Sequence, residues 1–277
     1  MSTHYQAPEE VRELEKLIND FTYQNGLDVS TVFRDFLRYI IQGFSLPGTP
    51  PLTDWKYTKE QNLVFSQMVV TWIQIMNKQI EISGWYDALG DLFMALTSQQ
   101  GQLQKGQFFS SHDLSELIQQ LVMDKNGRHD LICDPAAGSG RLLLSSKVEH
   151  PRNYLVAWDI DYTCCLMCVC NFIINSCVGE VVCIDTLRME NFRGAWLVNE
   201  AYYRTGLPSI RWLNEQEYLF YKQQKIPVYV FFLDQKNFDG YFRWRGIWDK
   251  FIALFDTPKP AVNKVSENDE IHTQEEQ

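Results

Sequence analysis

Three acidic residues stand where short apolar runs end: Asp134 after "DLIC", Asp159 in "NYLVAWD" and Asp185 in "EVVCID". The first opens "DPAAGSG" (134–140), whose Gly138 and Gly140 carry no Cβ and let a ligand lie on bare backbone where a helix begins near Arg141. The turn has neither Gly-x-Gly-x-x-Gly nor the Gly-Lys-Ser/Thr ending of a P-loop, which favours a nucleoside ligand other than a dinucleotide or ATP. At the next strand end Asp159 suits ribose hydroxyls, and Asp185 stands at the level of an adenine ring. Aspartate is common in turns, so one acidic strand end says little. Asp159 and Asp161 can be a solvated strand end, and Asp185 can equally cap the segment after it.

Elements that would hold such residues are legible on both sides of position 100. Residues 8–24 and 29–43 have helix-period apolar positions with Asn25-Gly26 as a stop between them, and 58–82 and 85–97 follow as helices after the proline-rich "SLPGTPPLTD". From residue 129 short runs alternate with helix-length segments: "DLICD", "NYLVAWD", "EVVCID", "GAWLVN" and "VYVFFLD". That alternation predicts an α/β fold with a mostly parallel sheet covered on both faces, and a ligand at the switch point beside the first strand. The expected division is a helical part over 1–100, an α/β domain over 101–257, and a polar, acidic, disordered tail over 258–277.

Composition narrows the class. No apolar run in the 277 residues reaches membrane-span length, and "MSTHYQAPEEVRELEKL" has no secretory pattern, so the expectation is a soluble cytoplasmic protein. All seven cysteines fall between Cys133 and Cys183; they read as reduced thiols, and Cys165-x-x-Cys168 as helix packing without a metal. A net charge of −10 argues against a free-standing nucleic-acid binder. Local basic faces remain at Arg243 and Arg245 in "YFRWRGIW" and at Arg193, Arg204 and Arg211, with half-buried strands as the plainer reading.

The motifs "DALGDLFMAL", "KGQFFSSHDLSELI", "DPAAGSGRLLL", "WDIDYTCCLMCVCNF" and "CIDTL" occur in an order and spacing that resemble the methylation subunit of type I restriction-modification systems, the S-adenosylmethionine-dependent N6-adenine DNA methylases. The resemblance covers roughly residues 85–203. It implies a Rossmann-like class I methyltransferase fold preceded by an all-α N-terminal domain. It also implies that Phe108, Phe109 and Ser110 border the methionine end of S-adenosylmethionine, although Ser110-Ser111 stand where the family has Thr-Pro. Asp134, Ala136, Gly138 and Gly140 would form the floor, Asp159 would hold the ribose, Ile160 would pack on adenine and Asp185 would meet its amino group. Asn171 fits the end of the family's helix pattern, which puts Cys168 where a small residue is preferred. Phe108 and Phe109 read alone are core residues joining the helices to the sheet.

The family's catalytic Asn-Pro-Pro-Tyr/Phe is replaced here by Asn199-Glu200-Ala201-Tyr202 in "GAWLVNEAYY". By resemblance Asn199 would accept hydrogens from the target N6 amino group and Tyr202 would stack on a flipped base. Losing both prolines removes the fixed φ values that hold this geometry, and a misplacement of about 1 Å can cost a positional catalyst about a hundredfold. The residues after Tyr203 leave no room for a target-recognition domain, so DNA is expected to be reached through a separate specificity subunit. Three readings stand: a variant adenine methylase, a catalytically silent relative acting as a cofactor-binding or regulatory module, and a methyltransferase for a planar amino group outside DNA.

Overall fold

The computed structural model describes residues 5–49, 51–99, 110–122 and 131–224, all within one unit spanning 1–236. Phe108, Phe109, "VYVFFLD", the "YFRWRGIW" arginines and the 258–277 tail lie outside the described residues.

Four helices come first: α1 (Arg12–Asn25), α2 (Val29–Phe44), α3 (Lys59–Ser83) and α4 (Ala88–Gln99). Their ends follow local chemistry. Gly26 closes α1 at φ +59°, a conformation that a residue without Cβ adopts freely. Asp28 accepts from the Thr31 amide to start α2, and Thr58 with Gln61 forms a reciprocal capping box on α3. Leu14, Ile18 and Phe21 of α1 are buried, as is Phe36 of α2, and Phe65 sits within 4.7–5.6 Å of the Phe21, Tyr39, Trp55 and Tyr57 rings. No helix among the described residues is long and apolar enough to cross a membrane.

After α5 (His112–Val122) come β1 (Leu131–Asp134), α6 (Arg141–Glu149), β2 (Tyr154–Asp159), α7 (Tyr162–Ile174), β3 (Val178–Asp185), β4 (Glu190–Val198), the short α8 (Tyr202–Thr205), β5 (Ile210–Leu213) and α9 (Glu215–Gln224). The five strands lie in chain order in one sheet. β1, β2 and β3 pair in parallel, β4 returns antiparallel beside β3, and β5 pairs antiparallel with β4. Four strands therefore run one way, a mostly parallel α/β sheet consistent with a methyltransferase fold.

α7 explains the cysteines. It lies between the sheet and α2, and every residue from Cys164 to Ile174 is buried, so the helix is apolar on all sides. All seven cysteines are free thiols, and the Cys170 Sγ donates to the Leu37 carbonyl across the α2–α7 contact. The helical segment thus shares a core with the sheet. On the other face, Tyr218 of α9 covers Val182, Ala195, Leu197 and Leu213. There the buried Glu180 accepts from Tyr218 and Lys222 at 2.8 Å and from Tyr154 at 3.2 Å, which leaves neither carboxylate oxygen unpaired.

Among the described residues β1 pairs with β2. One expectation about this sheet changes. The connection after β3 is a tight hairpin over 186–189, and so short a link cannot cross the sheet to a parallel neighbour.

Candidate cofactor site at the carboxyl edge

Asp134, Asp159 and Asp185 end β1, β2 and β3 at the same edge, with the glycine turn between β1 and α6. The turn is held from several sides. Gly138 and Gly140 take φ values of +56° and +86°. The Ala137 amide donates to the Trp158 carbonyl at 2.9 Å and the Gly138 amide to Asp159 Oδ2 at 2.8 Å, so β2 carries the turn of β1. Asp134 Oδ1 accepts from the Ala136 amide at 3.0 Å, and Thr186 Oγ1 donates to the Pro135 carbonyl at 3.0 Å. Gly140 is also a packing requirement: a Cβ there would come within 2.7 Å of Cys168 Sγ and 3.3 Å of Phe172 Cε1.

What this edge offers is a helix start with no side-chain cap, since Gly140 is the N-cap of α6, beside two acceptors. Burial pushes the Asp134 and Asp159 carboxyls above the ordinary aspartate range, and Asp159 raises Asp134 further by like charge. Neither is paired with a cation among the described residues. Ile160 follows directly with 62% of its surface exposed, an apolar face beside polar groups. The set suits a ligand with hydroxyls, an apolar ring and positive charge. Because the two carboxyls protonate above the ordinary 3.8, affinity for a cationic ligand should decline on acidification while isolated aspartates are still ionised. Titrations of a sulfonium ligand between pH 7 and pH 4 check this; flat affinity across that range would remove both carboxylates from the site.

Asp185 behaves otherwise. Its Oδ1 accepts from the Leu187 and Arg188 amides at 3.1 Å and its Oδ2 pairs with the Arg188 guanidinium at 3.1 Å. The Arg188 amide, then its side chain, holds this carboxyl below the usual range. It caps the β3–β4 hairpin. Asp185→Ala should therefore loosen the hairpin, read as faster amide exchange over 186–190, and leave nucleoside affinity within about twofold.

Asn199 and Tyr202 are not brought to this edge. Because β4 is antiparallel, Val198 pairs with Gly179 while Glu190 pairs with Asp185, so Asn199 lies at the amino edge. At about 3.3 Å per residue, the length of β3 separates it from the glycine turn by roughly 20 Å. Its side chain has no exposed surface: Nδ2 donates to the Cys177 carbonyl at 2.8 Å and Oδ1 accepts from the Ser209 amide at 3.2 Å. Its backbone sits at φ +61°, a left-handed position that asparagine tolerates. Tyr202 is 5% exposed and its hydroxyl donates to Ser176 Oγ at 3.1 Å. Glu200 pairs with Arg211 through two contacts of 2.8 and 3.0 Å.

A buried polar cluster behind the turn carries residues that the sequence motifs did not single out. Asp87 has no exposed surface and accepts from Ser139 Oγ, Arg141 Nε at 2.9 Å, Asn171 Nδ2 at 2.7 Å and the Gly90 amide at 2.8 Å. Asp91 takes Arg141 Nη2 at 2.7 Å and the Tyr86 hydroxyl at 3.0 Å, with His112 Nε2 3.5 Å away. Burial alone would push Asp91 up, but His112 and Arg141 together hold it below the ordinary value. Arg141 Nη1 reaches the Ser110 carbonyl at 3.0 Å, which places Ser110 beside the start of α6. Among the described residues no group of three or more His, Cys, Asp or Glu side chains is arranged for a metal ion.

Parallel strands ending in acids over a glycine turn, with helices on both faces, make an α/β sheet consistent with a methyltransferase fold. Residues 85–199 match the family model of the N-6 DNA methylases, which supports an adenine DNA methylase family for this part of the chain and a DNA methyltransferase function. Members of that family are in general S-adenosylmethionine-dependent. No curated protein and no solved structure matches the chain.

Proposed function

We infer that the chain is a methylase-like protein that binds S-adenosylmethionine at the carboxyl edge and does not itself direct the methyl group onto a base. It acts as a cofactor-binding or regulatory module in N6-adenine methylation of the restriction-modification type, with DNA held by a separate specificity subunit. The observation that carries this reading is the Asn199 amide, which lies at the amino edge with no exposed surface, its Nδ2 and Oδ1 bonded to the Cys177 carbonyl and the Ser209 amide, so that a substrate does not reach it.

The cofactor half rests on the turn. When bound, S-adenosylmethionine supplies an activated methyl group on a sulfonium. Asp159 would accept from the ribose while still holding the Gly138 amide, since each carboxylate oxygen has a second lone pair. Ile160 would cover the adenine, and Asp134, Ala136, Gly138 and Gly140 would lie under the methionine moiety. The two uncompensated carboxylates favour a sulfonium. Asp185 is assigned to its hairpin and not to the adenine, because three bonds from Leu187 and Arg188 hold its carboxylate against the link that follows β3.

The family match, which ends at Asn199, favours a second reading: an active methylase with a variant motif. Calorimetric titration with S-adenosylmethionine and its demethylated product, followed by methyl transfer to adenine-containing duplex DNA, separates the two. The expected result is micromolar binding, no transfer, and no gain from Glu200→Pro with Ala201→Pro, because those prolines would stiffen a segment at the wrong edge. Transfer by the unaltered chain would establish the second reading. Absence of binding would overturn the cofactor half.

A further inference from the structure

We propose that Asp87, acting through Ser139 and Arg141, is the positioning residue of the glycine turn, so that the helical segment sets the shape of the cofactor site from behind. The inference rests on the cofactor reading above for its binding arm only.

The geometry converges on one carboxylate. Asp87 stands just before α4 and 52 residues from Ser139, yet its Oδ2 takes both the Ser139 hydroxyl and Arg141 Nε. Its Oδ1 takes Asn171 of α7, whose Nδ2 also donates to the Ser139 carbonyl at 2.9 Å. The second half of the turn, Ser139 to Arg141, is therefore gripped at a hydroxyl, a carbonyl and a guanidinium by Asp87 and Asn171, neither of which has any exposed surface. Gly90 makes room for this: a Cβ there would come within 2.2 Å of Asp87 Oδ2 and 2.9 Å of Arg141 Nη2. "DALGD" thus has a physical reading, in which the first aspartate folds back onto the glycine amide and aims its carboxylate at the turn.

A stability role alone accounts poorly for the arrangement. Two buried carboxylates face one guanidinium, and replacing a buried ion cluster by apolar groups is often neutral or stabilising. What such a cluster does supply is a fixed geometry, needed here because a turn with two left-handed glycines has many other conformations open to it. The residues between Gly138 and Leu142 carry the amides at the uncapped start of α6, and their direction decides whether those amides meet a ligand.

The test uses Asp87→Asn, which keeps shape but removes the charge, and Ser139→Ala, which leaves both Arg141 ion pairs in place and guards against a folding failure of the first. Two readouts are taken on the full chain: hydrogen exchange of the amides over 136–142, and the dissociation constant for S-adenosylmethionine. The expected result is faster exchange confined to 136–142 in both variants, with affinity weakened about tenfold for Asp87→Asn and about threefold for Ser139→Ala. A double variant no weaker than Asp87→Asn alone would show that the serine acts through the aspartate. Unchanged exchange at the turn in the folded Ser139→Ala protein overturns the proposal, as does unchanged affinity where the wild-type chain binds. If the wild-type chain does not bind, the cofactor reading fails, and the exchange readout still decides whether Asp87 positions the turn.

Discussion

Gly140→Ala is expected to destabilise the protein by about 3 kcal/mol and to abolish measurable cofactor binding. Two costs add. At φ +86° an L-side chain is strained by roughly 1–2 kcal/mol, whatever the space around it. The new Cβ would also stand 2.7 Å from Cys168 Sγ inside a fully buried helix, so α7 or the turn must shift, at about 1–3 kcal/mol. The two terms separate experimentally. Adding Cys168→Ala removes the sulfur and should recover the packing part while leaving the backbone part, so urea midpoints of the single and double variants should be non-additive by about 1–2 kcal/mol. Additivity would mean that α7 does not press on the turn.

Much of this architecture was legible. The periodicity of 8–24, 29–43, 58–82 and 85–97 anticipated α1 to α4, and Asn25-Gly26 the end of α1, because capping and amphipathic spacing are local properties. The three acids do end β1, β2 and β3. What local patterning does not carry is strand direction. "GAWLVN" reads the same in a parallel or an antiparallel neighbour, and its preceding "TLRMENFR" has no Asn-Gly or Asp-Gly to announce a hairpin. A usable signal was the length of that link, since a parallel crossover needs a dozen or more residues and this segment is shorter. Met189 and Asn191 adopt φ values of +55° and +59° at this link, a conformation that asparagine tolerates but that methionine does not advertise. The Asp87 cluster was hidden for a different reason. Asp87 and Asp91, four residues apart, look like a solvated helix face until Arg141, 50 and more positions away, is brought between them.

The direction of β4 carries the functional argument, and Asn199→Ala tests it most severely. On the structure this substitution should cost about 4 kcal/mol of stability. It leaves the Cys177 carbonyl and the Ser209 amide unpaired inside the protein, at roughly 1–3 kcal/mol each, and puts alanine at φ +61° for about 1 kcal/mol more. Asn199→Gly accepts the backbone conformation and loses only the side-chain bonds, so it should be less damaging by about 1 kcal/mol. A catalytic asparagine predicts the reverse pattern: both variants fold as well as the wild type, both lose methyl transfer, and alanine and glycine are indistinguishable. Denaturant midpoints of the three proteins decide between these patterns without a DNA substrate. A stability loss with glycine above alanine, together with unchanged S-adenosylmethionine affinity in whatever fraction remains folded, would establish Asn199 as the pin of the amino edge. Retained stability in Asn199→Ala would mean that this side chain is free to serve a substrate, and that β4 runs toward the glycine turn when the chain works.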